Sequence, residues 1–508
     1  MIINSRRDFI KTSAVGAGVM LASNFWVDKL IAGSAPAAGK DFIQQRFGLS
    51  PDEIQKTLAM ALSRGADFAE LYFEYRISNS IGMEEDIIRS TSEGITLGVG
   101  IRVLKNKITG YGYTNDLTME SLIRTALSAA AIAREAKHSD IISFMTRTPN
   151  HQVYELKNPL TEAKLNDKIQ LVRDGYEIAK NYDSKIKKVS ASLADEIQYI
   201  AIANSEGLLE YDVRPQARLN VSVTAEDKGV RNTGSSNAGG RVGIDFYKNI
   251  RTPKDIAKKA AEEALILITA KNAPPGTMPV VLSKDESGVM IHEAVGHPLE
   301  ADANWKKTSI MHDKMGQMVS NPIVTIYDDA TIPNLRGSLN IDDEGTPTEN
   351  AMLIEKGKLV GFLNDRLGAK ILGHKMNGHA RRESYMSPPI PRMNNTVLEK
   401  GDSDPAEIIK SVEKGFYAVS YQGGQVSGTG KFTFSVNLGY MIENGKLTYP
   451  LKNATLIGTN IEILKEISMV GNDMGFFLGT CGKDGQSVPV TCGTPTMKIS
   501  KMTVGGVA

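Results

Sequence analysis

His292-Glu293-Ala294-Val295-Gly296-His297-Pro298 is the stretch of this chain that leaves the backbone least freedom. On a regular α-helix, residues five apart are separated by about 500° of rotation, so His292 and His297 diverge by roughly 140°. Histidines four apart, about 400° around, would share a face. Two devices can unite the five-spaced pair. One is a π-bulge, whose hydrogen bond closes on the fifth residue. The other is a helix that ends at Gly296, with Pro298 confirming the break. The sequence therefore predicts irregular backbone between Val295 and Pro298. Val280 to Leu282 read as the end of a preceding strand. Ser283 and Glu286 have capping-box spacing, which predicts a helix starting near Lys284.

Two histidines that can be brought together suggest a zinc site, because zinc favours imidazole nitrogen and thiolate sulfur in a tetrahedral shell. A catalytic site needs a third ligand and one open position. The candidate third ligands are Cys481, Cys492, His312, Glu300 and Asp302. Thiolate is the softest of these donors, and glycines around Cys481 permit a tight ligand loop. Glu293, next to the first histidine, would stand outside the shell. It would take a proton from a water acidified by the metal and pass it to a leaving amine. Several readings stay open. Cys481 and Cys492 could instead form a disulfide. His374 and His379 share the five-residue spacing but lack an adjacent glutamate, and read as loop. His138 and His151 have no partner nearby in sequence. Arg381, Arg382 and Arg392 divide evenly between peptide contact and packing.

The chain has 508 residues, which suggests about three units. Lys and Arg number 59 against 58 Asp and Glu, so no basic excess draws the protein to nucleic acid. Ser5-Arg6-Arg7-Asp8-Phe9-Ile10-Lys11, a weakly apolar run to Val27 and then Ala35-Pro36-Ala37 have the order of a twin-arginine export signal. Residues 1–37 are therefore expected to be a signal peptide, and the mature chain periplasmic or otherwise exported. The membrane would be met only transiently, during export.

Three units follow. In residues 45–140, Ser50-Pro51-Asp52-Glu53 opens a helix whose face is Ile54, Leu58 and Leu62. Ala69, Leu71, Phe73 and Tyr75 then alternate with Glu70, Tyr72, Glu74 and Arg76, the pattern of a half-buried strand. More strands are expected near 94–104 and 107–113, and a helix near 118–136. Residues 160–272 read as helix near 163–182, strands near 186–195, 199–204 and 216–226, a loop at 235–240, and helix near 253–270. After the linker Ala273-Pro274-Pro275-Gly276, residues 278–508 are mostly β in texture, as in Phe432, Phe434 and Val436. The fold class is α+β: small N-terminal units followed by a large β-rich C-terminal domain.

Five stretches carry a family resemblance: HEAVGHPLEAD at 292–302, NGHARRESYMSPPIPRMNN at 377–395, MVGND at 469–473, CGKDGQSVPV at 481–490 and TVGGV at 503–507. The chain resembles the TldD/PmbA family, in its TldD-like, metal-bearing form. The resemblance implies a zinc metallopeptidase with His292, His297 and Cys481 as ligands and Glu293 as general base. Cys492 has no counterpart role. It implies a peptide substrate, short or unfolded, and a homodimer or a heterodimer with a PmbA/TldE-like homologue that encloses the site. The export signal sets this chain apart from the better-known cytoplasmic members. The competing reading is a metal-stabilised binding or assembly subunit, with all four coordination positions closed.

Overall fold

The structure is a computed structural model that describes residues 40–133, 144–145, 151–154 and 158–506. The export segment at 1–37 and His138 lie outside the described residues. Six antiparallel strands form the first sheet: β1 (Phe68–Glu84), β2 (Ile87–Lys105), β3 (Ile108–Thr114), β4 (Ile186–Asn204), β5 (Leu209–Asp227) and β6 (Val230–Gly240). Their order is β3-β2-β1-β4-β5-β6. β1 pairs with β4, so segments 45–140 and 160–272 share one continuous sheet.

Four helices cover this sheet: Pro51–Leu62, Met119–Ala129, Leu165–Lys180 and Pro253–Leu267. The first has the expected capping box, with Ser50 and Glu53 bonded reciprocally, and buries Ile54, Leu58 and Leu62. The helix expected to reach residue 136 ends at Ala129, with a single 3₁₀ turn after it.

Three local expectations are corrected. β1 is not half-buried at its start: Glu70, Tyr72 and Glu74 are as buried as Leu71 and Phe73. Their face packs on the C-terminal domain: Glu70 pairs with Arg102 on β2 and with Arg382 of that domain, and Glu74 pairs with Arg76 and accepts from Tyr385 N. The break expected between 195 and 199 is absent, and β4 runs on through Asp195 and Glu196. Asp195 is neutralised inside by Lys168 at 2.9 Å. The loop expected at 235–240 is strand, paired with Ser222 to Ala217. Its glycines answer to close packing rather than a turn, since a Cβ on Gly239 would sit 2.0 Å from Ala217 O.

The C-terminal domain holds an eight-stranded and a six-stranded sheet. Gly276–Leu282 lies inside the first, parallel to Lys414–Val426 and antiparallel to Met497–Gly505. The hairpin Gly475–Lys483/Gln486–Thr494 ends the second. The histidine segment packs between them, against that hairpin and against Lys414–Val426. Its apolar residues Met290, Ile291, Ala294 and Val295 join Val280, Leu282, Val488 and Val490 in one core.

Candidate metal centre

The capping box expected at Ser283 does not form. Ser283 Oγ donates to Val419 O at 3.3 Å, and Glu286 accepts from Tyr421 N at 3.1 Å. The neighbouring strand takes both side chains, so the helix begins only at Gly288 and is regular to Ile291. Gly288 is needed there, because a Cβ would lie 2.8 Å from Cys492 O on the hairpin below. His292–Gly296 is then a π turn, and the His297 N–H donates to His292 O. That i to i+5 bond stacks the five-spaced histidines. Their ring centroids are 5.2 Å apart, with planes at 82°. Pro298 follows in a 3₁₀ turn, where the missing N–H does no harm. Gly296 lets the turn press on Met393, whose Cγ lies 2.7 Å from where a Cβ would be.

Cys481 arrives from the hairpin. It pairs with Val488, and Cys492 pairs with Phe477. Side chains alternate along a strand, so Cys481, Val488, Val490 and Cys492 share the face toward the histidines. The two cysteines sit four residue pairs apart, roughly 13 Å along the strands. That is too far for a disulfide, and both are free.

Ligand atoms of His292, His297 and Cys481 all lie within 4.8 Å of one another. Cys481 Sγ is 3.3 Å from His297 Nε2. A tetrahedral zinc at its usual bond lengths would hold such an N and S about 3.5 Å apart. His292 Nδ1 is buried without a hydrogen-bond partner. Donor type, separation and an unpartnered buried nitrogen all fit a zinc ion. Among the described residues this group has three donors, not four.

Glu293 stands outside the group, its carboxylate 3.9 Å from His297 Nε2. Burial raises its pKa, with His292 and His297 opposing. Burial also acts to raise the Cys481 thiol, but the two imidazoles outweigh it and bring it down to about 4. His297 is lifted to about 10 against its burial, by Glu300 and Cys481. His292 is raised against its burial by the Cys481 and Cys492 sulfurs. The two imidazoles thus favour the thiolate form of Cys481, and a divalent cation held there would compete with the imidazole protons.

The other residues singled out in the sequence do not join the donors. Glu300 lies on the far edge of the His297 ring, 3.2 Å from Nδ1. Asp302 is paired with Lys483 at 2.7 Å. His312 Nδ1 is 2.9 Å from Ser309 O. His151 contacts Thr348 Oγ1 at 3.0 Å. His374 and His379 lie outside helices and strands, but His379 is wholly buried between Asn377 and Asp328. Arg381, Arg382 and Arg392 are interior. Arg381 donates to Met393 O and Pro489 O, and Arg382 pairs with Glu70. Arg392 donates to Cys481 O at 2.5 Å. Sequence reasoning missed Lys483 and Arg392 as neighbours of the donors, since no spacing links 392 or 483 to 297.

Three family models match: the PmbA/TldA metallopeptidase C-terminal domain at 275–506, its central domain at 158–268 and its domain 1 at 69–133. A metalloprotease TldD homolog of Haemophilus influenzae is 42% identical over 454 residues, spanning 87% of this chain and 94% of that protein. The chain belongs to the TldD/PmbA family. A Saccharolobus solfataricus member, named a zinc metalloprotease TldD homolog, is 27% identical over 452 residues, 89% of this chain and 99% of its own. TldE from Thermococcus kodakarensis shares the fold, with a TM-score of 0.70 at 18% identity over 89% of this chain and all of that one. The family's α+β architecture, with helices over extensive sheets, is the one described above.

Proposed function

We propose that the chain is an exported zinc metallopeptidase acting on short or unfolded peptides. The observation that carries this reading is the π turn, which brings His292 and His297 onto the Cys481 thiolate and leaves Glu293 beside them. His292, His297 and Cys481 would hold the zinc. Bound there, zinc supplies Lewis acidity that polarises a peptide carbonyl and acidifies water. Glu293 takes the proton of the attacking water and delivers it to the leaving amine. Its raised pKa suits both halves of that task. A three-donor group leaves a position for the reaction, which favours turnover over the closed, purely structural site.

Export rests on the twin-arginine pattern at residues 5–11 and the small-residue site at 35–37. Fractionation of cells making Arg6→Lys/Arg7→Lys tests it, retention inside being expected. Assembly with a second copy or a TldE-like homologue is supported by the shared fold of TldE.

The deciding experiment is Glu293→Gln. Zinc content should stay at the parent's level while peptide hydrolysis falls by about 10²–10⁴-fold, the usual contribution of a general base. Full activity in that variant would remove Glu293 from the mechanism.

A further inference from the structure

The two nitrogens of His297 face different worlds. Nε2 looks to Cys481 at 3.3 Å, and Nδ1 looks to Glu300 Oε1 at 3.2 Å. Glu300 is almost fully buried, and its Oε1 closes no hydrogen bond among the described residues, which leaves it open to accept one from Nδ1 at 3.2 Å. Its other oxygen lies 3.1 Å from Lys483 Nζ, and Arg392 Nε is 3.9 Å from Oε1. Both cations act on the strand that carries the third donor. Lys483 is in that strand, two residues past Cys481, and also binds Asp302 at 2.7 Å and Pro391 O at 3.1 Å. Arg392 donates to Cys481 O at 2.5 Å and to Gln486 O at 3.3 Å.

We infer that Glu300 is a positioning residue that couples the two halves of the metal centre. It keeps the proton of His297 on Nδ1, so that Nε2 is free for the ion. Through Lys483 and Arg392 it also holds the Cys481 strand at ligand distance. A histidine ligand whose second nitrogen donates to a carboxylate is fixed in tautomer and orientation and made more basic. Here the same carboxylate also anchors a second ligand, which comes from 184 residues further along the chain. The donors themselves are brought by a helix turn and a hairpin that share no backbone hydrogen bond, so such a tie is what keeps them in register. The inference rests on the zinc reading of this site.

The test is zinc affinity by chelator competition on the full chain, with the cobalt(II) form read by its thiolate charge-transfer and ligand-field absorption. Glu300→Gln keeps an acceptor for Nδ1 but loses the charge that grips Lys483 and Arg392. It should weaken zinc about 10–100-fold, the usual effect of losing an outer partner of a ligand. Lys483→Met should weaken zinc and diminish the thiolate band. The double variant should lose little more than the worse single one, because both changes break one chain of contacts. A merely structural role would lower the melting temperature of the metal-free protein and leave affinity and spectrum of the folded protein unchanged. Zinc affinity within twofold of the parent in both single variants, or fully additive losses, would overturn the inference and leave the zinc reading intact. If Glu300→Gln does not fold, Lys483→Met decides on the same criteria. A parent that binds no zinc overturns both readings together.

Discussion

At the junction between the first sheet and the C-terminal domain, buried charges meet in a closed array. At the π turn, buried donors converge and stay open. In the array, Glu70 on β1 lies opposite Arg102 on β2, and Arg102 reaches Glu344 at 2.5 Å as well as Glu70 at 2.8 Å. Arg382 takes the other oxygen of Glu70 at 2.7 Å and lies over the Tyr72 ring. Arg214 bridges Asp343 and Asp212 alongside. The side chains of Glu70, Arg102, Glu344 and Arg382 each have an opposite partner. At the π turn, one thiolate serves two imidazoles and His292 Nδ1 has no partner. Burial without neutralisation is expensive. The array pairs each buried charge with an opposite one, whereas the donors at the π turn gather without a cation, as the proposed zinc site requires.

Removing one member from each region should therefore give opposite results. Cys481→Ser replaces the thiolate by a harder, shorter donor. Zinc should fall from near one per chain to a small fraction, while the chain still folds, because Cys481 is only one residue of a large apolar core. Metal analysis of parent and variant purified side by side checks this, and equal zinc in both would return the third-ligand role to another residue. Arg102→Met should do the reverse. It leaves Glu70 and Glu344 buried and short of a cation, which costs about 3–5 kcal/mol of stability. Urea unfolding should show that loss, and the protein that remains folded should keep its zinc. If Arg102→Met instead lost zinc at unchanged stability, the array would belong to the site, and the contrast between the two regions would fail.

The histidine pair was legible in the sequence because its signal is local, whereas Cys481 stands among five candidate third ligands and is singled out by the family resemblance. Spacing and Pro298 predict irregular backbone between Val295 and Pro298, and the structure has a π turn over His292–Gly296 followed by a 3₁₀ turn. The glycines around Cys481 suggest a ligand loop, but Cys481 lies within the strand Gly475–Lys483. The array was not legible, and the reason is distance along the chain. Alternation at 69–76 places Glu70 and Glu74 on one face, but whether that face meets water depends on Glu344 and Arg382, some 270 to 310 residues away. The same holds for Glu300. Its place in HEAVGHPLEAD made it a ligand candidate, yet its backbone leaves the 3₁₀ turn so that the carboxylate meets Nδ1 rather than the donor group. Polar and glycine-rich composition misled twice, at 195–199 and 235–240. There a buried lysine and a close-packed neighbouring strand, not solvent, explain the residues.

Glu286 tests whether a carboxylate can be left half closed. It accepts from Tyr421 N at 3.1 Å, but Lys259 Nζ stays 3.8 Å away. Its neighbour Glu263 is taken by Ser420 Oγ and Asn437 Nδ2. Burial is the main cause that raises Glu286 to about 7; Lys259 opposes and Glu263 adds to the rise. The folded state therefore binds more protons than the unfolded chain between about pH 4.5 and 7. Stability linked to this group is fully present below that window and is lost as pH rises through it. Glu286→Gln keeps the acceptor for Tyr421 N and removes the charge. It should match the parent near pH 4 and exceed it by about 2–3 kcal/mol at pH 8, an effect smaller than that of Arg102→Met. Urea unfolding at the two pH values measures the difference. The same difference at both would mean that Lys259 already neutralises Glu286 across 3.8 Å, and that this carboxylate belongs with the closed array.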